Sequence, residues 1–441
     1  MRDGLIKKAL KDSNFYFISQ LGVRLLSVLI VPYLARHTTP TELGNYDLFL
    51  VFIGLLTTLV GLGIDSGMSI FIANYKDNFQ LQRSLFSFSF WVTIVVIFVL
   101  YLFFFFWSFL GQVPVWVPSG DLIHLSFVYL LITYINYIIF NFLRWKGLAG
   151  KAALSSFLAS SLGLVGGIIW FNYSNGVISD YLLGLTFGAL LSLPYSLFLI
   201  KGFLVFRIPR EHRRECKELL RVSLPFVPNY LSNNLMLVVD RFVINRILGM
   251  ETLGQYALLS RFAQLPNFAM NIVTKGFQPV MFLNYESPEG IRLNKLVYHV
   301  FLVMLPIAVA LSGFTGKWLL QLFGGSQYLS VAHLLPSVVA STLIYGGMGV
   351  NGMGYTIQKK TKYLVLISIL TIGCNLLLNY LSLTDFGFSG LAISAPATSA
   401  VGALIYTWKS ERLYSFGLSF WRAVVSYVIT VFCAMYFSFY F

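Results

Sequence analysis

Arg261-Phe-Ala-Gln-Leu-Pro-Asn-Phe-Ala-Met-Asn-Ile-Val-Thr-Lys-Gly-Phe-Gln278 lies in the middle of an otherwise apolar run, 252–282. Arg261, Gln264, Phe268, Asn271, Lys275 and Gln278 follow one another at steps of three and four. At about 100° per residue they share one helix face over roughly 26 Å. That is close to the thickness of a bilayer's hydrocarbon core, about 30 Å. A central Arg or Lys facing acyl chains costs roughly 3 kcal/mol or more, so this face turns towards protein or water. Two arrangements satisfy the condition. One is the wall of a wet, cationic cavity; the other is a polar seam between two helices, closed by amides and a partner acid.

The composition places this helix in a membrane. Of 441 residues, 57% are hydrophobic and 11% charged, too little charge to cover a soluble globule of this size. Mean hydropathy is +0.76. The net charge of +14 is spread between apolar runs and forms no basic domain for nucleic acid. Cys216, Cys374 and Cys433 make no paired or zinc-type spacing, and the five His make no HExxH, so no metal site or cofactor is indicated. Met1 to Asn14 reads as a basic amphipathic segment at the membrane surface, leading into an uncleaved first span.

Apolar runs long enough to cross lie near 15–35, 45–73, 84–110, 121–143, 152–171, 177–205, 222–248, 252–282, 294–318, 330–354, 363–383, 387–408 and 417–440. The first twelve divide into two sets of six. The last is an extra C-terminal segment whose full crossing would leave the two termini on opposite sides. Most of the 31 Lys and Arg fall in the connections on the N-terminal side. Arg36, Arg246 and Lys317 fall on the other side, and Arg24, Arg241, Arg261 and Lys275 lie within spans. The positive-inside rule therefore makes the N-terminus cytoplasmic. The longest polar connection, about 206–221, is basic and joins the halves; a helix over 211–221 would suit anionic lipid heads.

The halves repeat. Arg36, Leu43, Gly44, Tyr46 and Leu48 recur as Arg246, Leu253, Gly254, Tyr256 and Leu258, each 210 residues later. Six spans per half is an even number, so the copies run parallel and a midplane cleft between two lobes is expected. The expected architecture is all-α: an N-terminal lobe over 1–206, a linker over 207–221, a C-terminal lobe over 222–408 and the extra segment over 409–441.

Candidate binding residues follow from these placements. Arg24 sits with Gln20 and Ser27 on one face of the first span; it either offers a fork of donors to phosphate or pairs with Asp65 as a structural tie. Asn229, Asn233 and Asp240 share a face of the seventh span, which opens on Pro225 and Pro228 and so starts broken. Asp240 and Arg241 point about 100° apart. Gly61, Gly63 and Gly67 flank Asp65 and read as close packing or a flexible point. Tyr134 and Tyr137, beside Asn136 and Asn141, either pack or stack on sugar rings. Gly347-Met-Gly-Val-Asn-Gly352 matches GxGxxG but sits in a span with no strand before it, so a dinucleotide site is excluded.

The stretches "VPYLARHTTPTELGNYDL" after the first span and "DRFVINRILGMETLGQYAL" after the seventh, with "LLQLFGGSQYLSVA", resemble the Wzx-type O-antigen flippases of the multidrug/oligosaccharidyl-lipid/polysaccharide exporter superfamily. The resemblance covers about 10–408. It implies two six-helix lobes, alternating access and transfer of an undecaprenyl-diphosphate-linked oligosaccharide across a bacterial inner membrane, with no catalysis. It implies that cavity cations handle the anionic lipid, here Arg24, Arg261 and Lys275; the amides Gln264, Asn271 and Asn233, read from the helix faces, are the further binding candidates. Asp65 and Asp240 are the residues for coupling to H⁺, Na⁺ or membrane potential. Membrane lipids and a glycan polymerase complex are the expected partners. A drug or cation antiporter of the same superfamily is the alternative, disfavoured by a cationic stripe; a membrane glycan polymerase would need a larger outer loop than any present.

Overall fold

Backbone in lipid must satisfy its own polar groups, which leaves helices or closed barrels. Every element among the described residues is helical. The computed structural model describes residues 29–440 except 76–77, 111–116, 118–119, 175, 284, 359 and 361, together with 22, 23, 26 and 27. At 73, 109, 229, 232, 233, 236, 237, 271–283, 349, 350, 356 and 362 it describes the backbone alone.

In chain order the helices are α1 (29–37), α2 (Pro40–Gly61), α3 (Ile64–Asn74), α4 (Phe79–Phe109), α5 (Asp121–Trp145), α6 (Ala149–Tyr173), α7 (Ile178–Leu191), α8 (Leu193–Ile200) and α9 (Arg213–Ser223). They continue with α10 (Val227–Leu248), α11 (Met250–Leu283), α12 (Pro288–Phe323), α13 (Leu335–Gly346), α14 (Met348–Asn351), α15 (Met353–Ile357), α16 (Lys362–Phe386), α17 (Leu391–Leu413) and α18 (Phe420–Tyr440). Among the described residues nine helical stretches are long and apolar enough to cross a membrane. The chain is a multi-pass, all-α membrane protein. The C-terminal segment is one of the nine: α18 runs 21 residues without interruption.

Three of the expected continuous runs are interrupted. The run 45–73 breaks between α2 and α3, where Leu62 and Gly63 take φ of 46° and 67°. Left-handed backbone costs a non-glycine residue about 1–2 kcal/mol, so Leu62 is held there by its surroundings. Gly63 and Gly67 lie against the backbone and hydroxyl of Ser223, at the end of α9, so no side chain fits at either. The run 177–205 breaks at Ser192, with Pro194 in the first turn of α8. The run 330–354 begins inside a 3₁₀ stretch, Ser326–Leu334, and ends in the short helices α14 and α15.

The described residues form two compact units, one drawn from Met1–Ile30 and Asn45–Asn234, the other from Val31–Gly44 and Leu235–Phe441. In the first unit α6 and α7 approach through Gly163, Gly166, Gly184 and Gly188, where added Cβ atoms would meet the facing backbone. Asn136 is spent on this packing: its amide donates to Ser192 Oγ at 3.1 Å and accepts from Ser196 Oγ at 2.6 Å, and Ser196 reaches Ser155 at 2.8 Å. α9 is amphipathic. Cys216, Leu219 and Ser223 are buried while Arg213, Arg214, Lys217 and Arg221 are exposed.

In the second unit the repeated motif meets itself. A Cβ on Gly44 would meet Met250 O and come within 3.1 Å of Gly254 N; one on Gly254 would meet Pro40 O and come within 2.9 Å of Gly44 N. The Arg36 guanidinium donates to Leu322 O, and Gln327 Nε2 donates to Ala35 O at 2.7 Å and Thr38 O at 3.3 Å. The ARHTT and GGSQ stretches therefore lock onto each other and line a polar cavity of about 420 Å³. The glycines of the GxGxxG pattern serve packing: Gly347 lies on the Phe301 ring and Gly352 on Tyr406. Asn351 beside them donates to Thr407 Oγ1 at 2.9 Å and the Tyr427 hydroxyl at 3.1 Å. The α17–α18 turn is fixed by Glu411, whose carboxylate accepts from the backbone N–H of Phe416, Gly417 and Leu418 at 3.2, 3.0 and 3.1 Å.

Candidate functional site

The polar stripe falls on α11, a single helix of 34 residues. Pro266 interrupts its backbone donors in mid-course, leaving the carbonyl one turn earlier without its helical N–H. Arg261, Gln264 and Phe268 are half-buried. Asn271 and Lys275 continue the same helix, but their side chains lie outside the described residues, as does that of Asn233 on α10. Arg24 and Gln20, and with them the choice between a phosphate ligand and a tie to Asp65, lie outside the described residues altogether.

In the second unit Asp240 is the centre of a polar network built by four helices. Its Oδ1 accepts from Asn379 Nδ2 on α16 at 2.8 Å, and its Oδ2 from the Tyr256 hydroxyl on α11 at 3.1 Å. Asn379 Nδ2 also reaches Asn375 Oδ1 at 3.0 Å, and Asn375 Nδ2 reaches Thr398 Oγ1 on α17 at 3.4 Å. Arg241 stands 5.4 Å over the Tyr256 ring and 3.4 Å from Ser260 Oγ. Asp240 and Arg241 diverge by one residue's rotation, yet Tyr256 joins them, taking one at its hydroxyl and the other on its face. Asn375, Asn379 and Arg241 are buried. Asn379 Oδ1 is buried with no donor among the described residues, so an oxygen is left over in the network.

Sequence reading missed Asn375, Asn379 and Thr398. Two asparagines four apart inside an apolar span are a legible signal, since each costs free energy in lipid unless paired.

In the first unit Asp65 is the counterpart. It occupies the first turn of α3, just past the break, and accepts from the Tyr137 hydroxyl at 3.2 Å. Its neighbour Ser66 is 2.5 Å, oxygen to oxygen, from the Tyr230 hydroxyl on α10. Asn234, also on α10, donates to Thr58 Oγ1 at 2.5 Å. Asp65, Ser66 and Tyr230 are half-buried and Tyr137 is 39% exposed. Tyr134 is buried and packs 5.5 Å from Tyr137, centroid to centroid. Among the described residues no cluster of His, Cys, Asp and Glu has the make-up of a metal centre.

With this geometry in place, the comparisons are informative. The fold is that of a multidrug resistance MATE family transporter of the MOP superfamily, at TM-score 0.66 and 16% identity over 90% of this chain and 98% of that one. It is equally that of the lipid II flippase MurJ, at TM-score 0.66 and 17% identity over 96% and 97%. The MATE multidrug transporter DinF-BH aligns at TM-score 0.61 and 16% identity over 92% and 96%. These likenesses agree with the superfamily resemblance read from the motifs. No curated protein sequence matches this one. The polysaccharide biosynthesis protein family matches over residues 9–283, which holds both repeated motifs and the whole polar stripe. The chain belongs to that polysaccharide biosynthesis protein family.

Proposed function

We propose that this protein is a flippase that moves undecaprenyl-diphosphate-linked oligosaccharide repeat units from the cytoplasmic to the periplasmic leaflet of a bacterial inner membrane. The observation that carries the reading is the cationic face of α11 in a chain of the polysaccharide biosynthesis family. Arg261 and Lys275 sit on one helix about 21 Å apart along its axis, with Gln264 and Asn271 between them. A pyrophosphate would neutralise such cations and relieve the desolvation cost on both sides. Arg24 and Asn233 belong to the same binding set. The polyprenyl tail stays in lipid while the head crosses, and an inside-negative potential assists outward movement of negative charge by about 2.3 kcal/mol per charge per 100 mV.

Resetting is assigned to Asp240. Its carboxylate, the spare Asn379 oxygen and the hydroxyls around them form an oxygen-rich site that suits a proton or Na⁺. The exposed basic face of α9 would rest on anionic lipid heads.

The test is a host strain deleted for this chain, complemented with Arg261→Ala and Lys275→Ala. Both should lose surface glycan, accumulate lipid-linked single repeat units on the inner leaflet and keep normal protein levels. Retained glycan in both variants removes the role given to these cations. Export of cationic dyes by the unaltered protein, without such accumulation in the deletion strain, would favour the antiporter reading that the shared MATE fold keeps in view.

A further inference from the structure

Helix α5 carries Tyr134, Tyr137, Asn141 and Arg144 at steps of three and four, so they share one face. All belong to the first unit, as do the groups that meet them. The break at Leu62–Gly63 sets Asp65 and Ser66 at the start of a new helix, where Asp65 meets Tyr137 and Ser66 meets Tyr230. Gly61, at the end of α2, leaves room beside the Tyr134 hydroxyl, which an added Cβ would approach to 3.2 Å. Further along the same face Arg144 lies within electrostatic reach of the Tyr230 phenol and 4.6 Å over the Trp145 ring.

These groups differ from the tyrosines that merely fill this unit. Tyr181 is wholly buried, whereas Tyr137 is 39% exposed and Asp65 and Tyr230 are half-open. A carboxylate has about four acceptor positions, and the phenols of Tyr137, at 3.2 Å, and Tyr230 take two of them. The remainder suit the hydroxyls of a polyol. Tyr rings present a flat apolar body with a polar tip, the surface that lies against a pyranose face. The guanidinium of Arg144 offers a fork of donors matched to phosphate oxygens. Tyr137 and Arg144 are two helical turns apart, about 10 Å, so hydroxyl acceptor and phosphate donor are separated along the helix in the order of a sugar followed by its phosphate.

We propose that Asp65, Tyr137, Tyr230 and Arg144 form a glycosyl-phosphate subsite in the first unit, in which Asp65 and the two tyrosines hold the first sugar and Arg144 holds the adjoining phosphate. This rests on the flippase reading and adds to it. Asp65 is here a hydroxyl acceptor and not the carrier of a coupling ion, and selectivity for a glycosylated lipid over the bare one is exercised by residues of the first unit.

The experiment uses the full-length protein in nanodiscs with two probes: undecaprenyl diphosphate without sugar, and the glycosylated lipid extracted from the host. The unaltered protein should bind the glycosylated lipid about tenfold more tightly, the scale of losing hydrogen bonds to a charged group. Tyr137→Leu and Asp65→Ala should each bring the two affinities to within about twofold while binding of the bare lipid stays unchanged. Arg144→Gln should weaken both probes alike, about tenfold. Tyr137→Phe, which keeps the ring, should hold an intermediate preference, and it decides the matter if Tyr137→Leu fails to accumulate. Persistence of the full preference in Asp65→Ala and Tyr137→Phe overturns the subsite. Equal binding of the two lipids by the unaltered protein overturns the subsite alone, and binding of neither overturns the flippase reading with it.

Discussion

Asp65 and Asp240 are acids within spans of opposite halves, and the protein houses them differently. Asp240 is held at both oxygens: Asn379 donates to one and the Tyr256 hydroxyl to the other, Asn375 backs Asn379, and Arg241 is buried one residue away. Asp65 stands at a helix start, half-open, with phenols and hydroxyls around it. Both acids are half-buried, so exposure does not distinguish them. Their partners do: amide and phenol donors hold both oxygens of Asp240, while phenols and a serine surround Asp65. The difference teaches that charge within a span is not one kind of signal, and the sequence does not show which partners an acid keeps.

The largest effect should come from Asp240→Ala. It removes an acceptor from both the Tyr256 hydroxyl and Asn379 Nδ2 and takes away a negative charge that interacts with Arg241, which costs about 3 kcal/mol. The detergent-solubilised protein should melt markedly lower, and an unchanged melting temperature would show that these partners do not hold the fold. Gly63→Ala comes next, at about 2 kcal/mol, because φ of 67° and the Ser223 carbonyl both oppose a side chain. Its signature is faster proteolysis between α9 and α10, since Gly63 and Gly67 seat the end of α9. Asp65→Ala should shift melting by less than about 1 kcal/mol, because its partner Tyr137 is exposed and solvent can replace the carboxylate there, while surface glycan falls. If Asp65→Ala destabilises as strongly as Asp240→Ala, the contrast between the two acids fails. The smallest effect concerns Cys216. Burial pushes its thiol up to about 11, so little thiolate exists at pH 7.5. With Cys374 and Cys433 replaced by Ala, Cys216 should take up N-ethylmaleimide only after unfolding.

Much of the helical order was legible because lipid imposes it. Runs such as 121–143 and 152–171 became α5 and α6 with ends shifted by a few residues. The repeated motif was legible too, though its meaning was not. Gly44 and Gly254 were counted as equivalents of each other, and they turn out to be neighbours. The breaks were harder to read. Gly61, Gly63 and Gly67 marked a flexible point around Asp65, but the left-handed break at Leu62 and Gly63 goes with the end of α9 seated on Gly63 and Gly67, a long-range fact. The asparagines of α16 carry no charge and stand in an apolar run, so their partners on α10 and α17 are long-range facts. Asn136, beside the two tyrosines, is bound into the α5–α7–α8 packing, since an amide on an apolar helix satisfies its own polarity first.

The meeting of Gly44 with Gly254 has a consequence for any attempt to divide this protein. Residues 31–44 come early in the chain yet complete the second unit, so a fragment ending at the central linker would carry a tongue whose socket is missing. The remaining fragment would begin α11 against an empty groove where Pro40 and Gly44 should lie. Similar motifs 210 residues apart thus meet as lock and key, and a cut at the linker separates one from the other.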